Sequence, residues 1–327
     1  MNRVRLYAVG AALVTLAAAN TGRALPVGGV LPKPYVSADQ GGGGYAPENT
    51  MVAMRNGIRL GVDELETDTN ITSDDQLVLI HDGYLNRTTN CTGRVDAHTL
   101  AEVERCDAAY WWVPGKTTLL PGPAARAERK ARDVYPLRGK GVRVPTVREF
   151  FSYIVSLGDR APQFSIEIKN IPYDANFDPV GRRIADVLVP LIHEYGLTRK
   201  AVVESFWPLS LARVKQLDPS IRTMFLTLGS ATANYAWVAA SRTEFSSSDT
   251  LAPDLNRFYV NHVHALGKKV VPWLVDAASD WDKVKTFGVD GVISSYPACI
   301  LRALGRPAPG PYVTPEAGLT TDVSPCP

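Results

Sequence analysis

Phe164-Ser165-Ile166-Glu167-Ile168-Lys169 is a short apolar run with a carboxylate set inside it. A run of this length reads as a buried strand. Working outward, similar segments recur downstream at Ala201–Glu204, Thr223–Leu226, Lys269–Leu274 and Gly291–Ser294. Upstream they recur at Tyr35–Ala38, Glu64–Thr69 and Leu77–Ile80. Amphipathic helical patterns fall between many of them, at Asn49–Leu60, Val180–Tyr195, Leu209–Gln216 and Leu255–Leu266. Strand and helix in alternation predict an α/β fold with a parallel sheet and crossover helices. Residues 83–144 break the pattern, being rich in turns, Trp, Pro and basic side chains. Setting aside those residues and the first 24 leaves 241. That is close to the roughly 250 residues of one (β/α)8 barrel. A doubly wound sheet would carry a glycine-rich phosphate fingerprint at its first helix, and Gly41–Gly44 does not have that form. The sequence therefore predicts a TIM barrel, with 83–144 inserted as a small subdomain after the second strand region.

The ends of the chain read differently. Arg3 and Arg5 precede a short apolar run from Leu6 to Ala19, followed by small residues up to Ala24. This is the pattern of a secretory signal, and it is too short to span a bilayer comfortably. A secreted or periplasmic location, without stable membrane insertion after cleavage, is the expectation. Removing residues 1–24 deletes three Arg and no acid, taking the formal charge from +2 to −1. Nothing in that balance points to a nucleic-acid partner. Four cysteines fall as two sequence neighbours, Cys91 with Cys106 and Cys299 with Cys326. In an oxidising compartment these are the expected disulfides. The first closes 15 residues, worth about 3 kcal/mol in the chain-entropy model. The second would staple a Pro-rich tail, 305–327, back onto the body.

Working residues of a barrel sit at the C-terminal ends of its strands. Glu66 and Asp68 alternate along one strand and face the same side. Glu167 lies on a later strand, and a carboxylate in such a run is costly to bury without a partner. Three carboxylates converging at a barrel mouth repel one another, and a hard divalent cation is the usual remedy. The bland alternative is a buried ion-pair network without metal. Lys169, on the same face as Glu167, would neutralise charge or hold an anionic oxygen. His81 ends the run Leu77-Val78-Leu79-Ile80-His81-Asp82, beside a turn, where it is a candidate general acid or base. Seven basic side chains crowd 120–143 (Arg126, Arg129, Lys130, Arg132, Arg138, Lys140, Arg143). They read either as a solvated loop or as a field that steers an anion.

Taken in order, these segments form a set. Gly41–Tyr45 leads into Ala46-Pro47-Glu48-Asn49-Thr50; Glu66-x-Asp68, His81-Asp82 and Leu85-Asn86-Arg87-Thr88-Thr89-Asn90 follow. Then come Ile166-Glu167-Ile168-Lys169, Trp273 and Gly288-Val289-Asp290-Gly291-Val292-Ile293. The set resembles the glycerophosphodiester phosphodiesterase family over roughly residues 35–304. The resemblance implies a barrel over 25–304 with the insertion 83–144, flanked by the signal 1–24 and the tail 305–327. It also implies a divalent cation, Ca2+ or Mg2+, and a small-molecule phosphodiester substrate. The implied reaction is hydrolysis of deacylated phospholipid headgroups to glycerol 3-phosphate and an alcohol. Position by position, Glu66, Asp68 and Glu167 resemble the metal ligands, and His81 one of two catalytic histidines. Lys169 resembles a phosphate contact and Trp273 a substrate wall, while Glu48 resembles an acid near the reacting centre on the substrate-binding side.

The departure is at the first motif, where the family reads His-Arg-Gly and this chain reads Asp39-Gln40-Gly41. Asp39 then stands in the catalytic position of the other histidine. Gln40 keeps a hydrogen-bonding amide for substrate but loses the two-pronged cation that grips phosphate. Three readings follow: a phosphodiesterase of reduced or altered activity, a family member that binds phosphodiester or metal without turnover, and a glycoside hydrolase. Glu66 and Asp68 lie too near each other to flank a sugar bond comfortably, which disfavours the third.

Overall fold

In the computed structural model the described residues are 31–113, 137–306, 312–314, 319–321 and 326. The expected signal 1–24 and Arg126, Arg129, Lys130 and Arg132 lie outside them. The strands are β1 (Tyr35–Ala38), β2 (Glu64–Ile71), β3 (Leu77–Leu79), β4 (Gln163–Ile168), β5 (Ala201–Ser205), β6 (Arg222–Thr227), β7 (Phe245–Ser248), β8 (Lys269–Val270) and β9 (Gly291–Ser294), with a separate antiparallel pair, β10 (Tyr312–Thr314) and β11 (Leu319–Thr321). The helices are α1 (Met51–Leu60), α2 (Leu100–Val103), α3 (Val147–Ser156), α4 (Ala185–Glu194), α5 (Pro208–Leu217), α6 (Ala231–Ala240), α7 (Arg257–Ala265), α8 (Ala278–Val284) and α9 (Pro297–Ala303).

Eight strands run parallel in the order β8-β7-β6-β5-β4-β2-β1-β9. Backbone bonds from Asp290 N to Val270 O (2.8 Å) and from Ile293 N to Pro272 O (3.0 Å) link the two ends of that row. The sheet is thereby a TIM-like barrel, as the sequence predicts. Alternation along each strand sorts the side chains. On β4, Phe164, Ile166 and Ile168 join the core shared with the helices. Phe164 meets Phe150 and Phe151 of α3 at ring-centroid distances of 5.5 and 5.3 Å. Burying such a ring is worth about 1.5–3 kcal/mol. Gln163, Ser165 and Glu167 therefore face the barrel interior. Thr50 caps α1 by accepting from Ala53 N. Gly41 sits against that helix, where a Cβ would lie 2.8 Å from the Ala53 backbone. Its φ of +80° is also one that glycine adopts without strain.

Two strand assignments change. Leu77–Ile80 is not a barrel stave; β3 pairs antiparallel with β2 as a hairpin. The stave that the apolar pattern missed is β7, whose Phe-Ser-Ser-Ser sequence is too polar to read as a buried strand. Its hydroxyls are satisfied internally, Ser246 Oγ by Tyr259 Oη at 3.1 Å and Ser247 Oγ by the Val271 carbonyl. A polar strand is buried without loss when each hydroxyl finds a partner.

Leu85, Val95, Val103, Trp112, Leu137 and Val142 form a second core cluster together with Val52 and Ala53 of α1 and with Val78 and Ile80. Both expected disulfides are formed, Cys91–Cys106 and Cys299–Cys326, with Cα–Cα distances of 5.6 and 5.8 Å. Arg143 is engaged by Glu104 and Glu149, and Arg138 stacks over Tyr110 at 4.0 Å. These two basic groups are thus committed to neighbours of their own. No helix among the described residues is long and apolar enough to cross a membrane.

Candidate active site

A cavity of about 210 Å³ opens at the C-terminal ends of the strands. Asp39, Gln40, Glu66, Asp68, His81, Glu167, Lys169 and Glu204 form its polar side. Ile171, Phe206, Leu226, Trp273, Leu274 and Ile293 form its apolar side. A larger hollow, about 540 Å³, lies at the opposite end around Asp63, Gln163 and Lys200 and gathers none of these residues.

Ladder register explains the polar side. Asp68 pairs with Glu167 across β2 and β4, and Glu167 pairs with Glu204 across β4 and β5. Three acids thus stand at one level on neighbouring strands, with Glu66 one inward position earlier. Gln40 and Asn49 fasten the β2 pair. Gln40 N donates to Glu66 Oε2 at 2.6 Å, and its Nε2 to Asp68 Oδ2 at 3.1 Å. Asn49 Nδ2 donates to the same Asp68 oxygen at 2.7 Å, and its Oδ1 accepts from Asp68 N and Thr67 Oγ1. Both residues hold left-handed backbone, at φ 53° and 56°. Strain of that kind is kept where the surroundings demand it.

Charge within the cavity is unbalanced. Lys169 Nζ lies 3.1 Å from Glu167 and 3.5 Å from Asp68. Burial would push Asp68 up, but Lys169, His81 and the amide hydrogen bonds outweigh it and hold its pKa below the ordinary value. Glu167 goes up to about 7, mainly by burial, against the pull of Lys169. Burial and the nearby Asp68, Asp39 and Glu204 raise Glu66 well above the usual carboxylate range. Glu204 is raised in the same way by burial and by Glu167. Its Oε2 is buried without a hydrogen-bond partner. Among the described residues no three acids, histidines or cysteines already converge as a metal cage. The donor set, carboxyl oxygens with one ammonium, nevertheless has the chemistry that suits a hard divalent cation.

His81 and Asp39 lie at the edges of this cluster. His81 Nδ1 is 2.7 Å from Asp82 Oδ1. Arg87 holds Asp82 through Nε at 2.8 Å and Nη2 at 2.9 Å, and grips Glu48 at 2.8 and 2.6 Å. Asp82 is held well below its ordinary pKa by His81 and Arg87, which overcome its burial. An ionised Asp82 keeps the proton on Nδ1 and leaves Nε2 for the cavity. Asp39 Oδ2 accepts from Ser295 Oγ at 2.8 Å. Burial, with Asp276 and Asp68 nearby, raises its pKa well above the usual value.

A glycerophosphoryl diester phosphodiesterase family model matches residues 40–298. The chain belongs to that family. It is 30% identical over 283 residues to a glycerophosphodiester phosphodiesterase of Caldanaerobacter subterraneus, covering 84% of this chain and 99% of that one. It is 26% identical over 268 residues to a Bacillus subtilis glycerophosphodiester phosphodiesterase, covering 80% and 83%. An Oleispira antarctica phosphodiesterase, solved in complex with sn-glycerol-3-phosphate, has the same fold: TM-score 0.66 at 22% identity, covering 84% of this chain and 97% of that one.

In this phosphodiesterase-family barrel, seven of the residues singled out by sequence line one cavity with Trp273: Asp39, Gln40, Glu66, Asp68, His81, Glu167 and Lys169. Glu48 does not line it; it lies behind, locked to Arg87. Sequence pattern alone does not single out Asn49, Asp82 and Arg87, although all three lie inside the family-like motifs. It also missed Glu204, whose signal was present: an acid closing an apolar strand, as Glu167 does.

Proposed function

We propose that this chain hydrolyses glycerophosphodiesters to glycerol 3-phosphate and an alcohol, with a divalent cation at Glu66, Asp68 and Glu167. The carrying observation is that His81, held by Asp82, and Asp39 flank one buried acid cluster in a single cavity. The bound cation would polarise the phosphoryl oxygen and neutralise the carboxylates. Lys169 supplies a buried ammonium for an anionic oxygen. Through Nε2, His81 gives a proton to the departing alcohol. Asp39 accepts a proton from the attacking water, whose hydroxyl joins phosphorus as the alcohol leaves, and its burial brings it closer to the basicity that such a role needs near neutrality. Trp273 and Phe206, edge to face at 5.6 Å, wall the opposite side. Glu48, Arg87 and Asp82 are positioning residues that act through His81.

One observation favours binding without turnover. The Gln40 amide, standing where the family has Arg, is spent on Asp68 and brings no cation to the phosphate. Release of glycerol 3-phosphate from glycerophosphocholine, measured with added Ca2+, Mg2+ or chelator, separates the two readings. Cation-dependent release supports the enzyme. Binding of glycerophosphocholine with no release under any of these conditions supports the binding protein.

A further inference from the structure

Glu204 is the acid of the cavity to which the proposed reaction gives no work. It stands on β5 at the level of Glu167 on β4, and it lines the same cavity. The residue is 1% exposed, and its Oε2 has no hydrogen-bond partner. The charged neighbours that act on it most strongly are themselves acids: Glu167, Glu64 and Asp68. Lys169 is already held by Glu167 and Asp68. Glu64 is the contrasting case, equally buried but away from the cavity. There the Gln163 amide donates to it at 3.3 Å and Arg222 sets a cation nearby. Burying a carboxylate oxygen without a partner is expensive. Glu167 Oε1, on the neighbouring strand, is also buried without a hydrogen-bond partner. Two spare carboxyl oxygens at adjacent inward positions therefore meet one cavity, and both call for positive charge.

We propose that Glu204 is a fourth carboxylate of the cation site and makes that site selective for Ca2+ over Mg2+. Neighbouring strands lie about 4.8 Å apart, so Glu167 and Glu204 present their carboxyl groups side by side. Mg2+ keeps several waters and is usually bound through one or two carboxylates, in a strict octahedron. Ca2+ takes six to eight oxygens in a flexible arrangement. Within the site, Asp68 Oδ2 is already occupied by the Gln40 and Asn49 amides, and Glu66 Oε2 by Gln40 N. A fourth carboxylate replaces the oxygens so spent, and only the larger ion can use them all. The inference rests on the cation at Glu66, Asp68 and Glu167 in the proposed function.

The test is calorimetry with Ca2+ and with Mg2+ at pH 8 on the wild type, Glu204→Gln and, as a control, Glu64→Gln. The wild type should bind one Ca2+ per chain, at least about tenfold more tightly than Mg2+. Glu204→Gln should weaken Ca2+ at least about tenfold and Mg2+ by less than about threefold, which removes the preference. Glu64→Gln takes away a buried acid of the same interior and should leave both affinities within about threefold. Thermal unfolding gives a second readout. In chelator Glu204→Gln should melt no lower than the wild type, since it removes the charge of an unpaired buried carboxylate. The same added Ca2+ should raise the wild-type midpoint more than that of the variant. Unaltered Ca2+ affinity in Glu204→Gln, with binding weakened in Glu66→Ala, overturns the inference and leaves the three-acid site standing. Mg2+ bound by the wild type as tightly as Ca2+ overturns it as well, and needs no variant. A second Ca2+ per chain, lost in Glu204→Gln, would overturn the shared site in favour of two ions. If the wild type binds neither ion, the cation of the proposed function falls, and Glu204 with it.

Discussion

Glu48 and Arg87, 39 residues apart in sequence, meet in a buried two-pronged ion pair with N···O distances of 2.8 and 2.6 Å. Arg87 also holds Asp82, so one guanidinium links the Pro-Glu-Asn-Thr segment to the residue that orients His81. Breaking such a pair leaves a buried charge without its partner, at about 3–5 kcal/mol. Arg87→Met should therefore destabilise the protein by about that much in urea unfolding, and should lower kcat more than it raises KM. Full stability in Arg87→Met would remove the pair from its structural role.

Asp82 gives that network a pH dependence. Its folded pKa lies below the unfolded value of about 3.9. The stabilisation is therefore complete above about pH 4 and is lost as pH falls towards the folded value. Asp82→Asn should be less stable than wild type at pH 6, and the two urea midpoints should converge on acidification. A gap that stays constant down to pH 2 would contradict this assignment.

Glu64 should act in the opposite sense. It is fully buried inside the barrel, one Oε1 has no hydrogen-bond partner, and burial raises its pKa to about 7. Between about pH 4.3 and 7 the native chain holds a proton that the unfolded chain has released, so stability falls as pH rises. Glu64→Gln should remove the share of that slope due to one proton, leaving the share of the raised acids at the cavity, and gain up to about 3 kcal/mol at pH 8. Matching pH profiles for the variant and the wild type would refute it.

Cation binding is checked by calorimetry with Ca2+ and Mg2+. Glu66→Ala and Glu167→Gln should each weaken binding at least about tenfold. Unaltered binding in both variants would leave the row of acids as a purely structural feature.

Asp39→His combined with Gln40→Arg should raise phosphodiester turnover at least about tenfold, within the range that acid–base assistance supplies. His81→Ala should abolish the activity of the natural chain. If Asp39→His gave a folded, cation-binding protein slower than wild type, the buried Asp39 would be a better base at this position than a histidine, and the expected gain would be refuted.

Much of this was legible in the sequence because alternation carries it. Glu66 and Asp68 alternate along β2, and Glu167 stands at an inward position of β4, whose outward positions Phe164, Ile166 and Ile168 are apolar, so their convergence follows from period two. The cysteine pairs follow from spacing. What escaped has a physical cause in each case. β7 is built of serines whose partners come from other strands and from α7, and no local pattern reveals them. Leu77–Ile80 has the composition of a stave, but the turn before it is too short for a crossover, so it can only fold back on β2. Arg87 and Glu48 are polar residues whose meeting is set by tertiary structure alone. The role of Gln40 could not be read because its amide turns back onto Asp68.

That last contact makes the two altered positions of the first motif order-dependent. Changing Gln40 to Arg by itself takes from Asp68 the amide donor 3.1 Å away, on a carboxylate that Lys169 already approaches to 3.5 Å. Changing Asp39 to His first removes a neighbouring negative charge while the Gln40 clamp is intact. The two single changes are therefore expected to differ: Gln40→Arg alone should lose more cation affinity than Asp39→His alone, and calorimetry on both checks it.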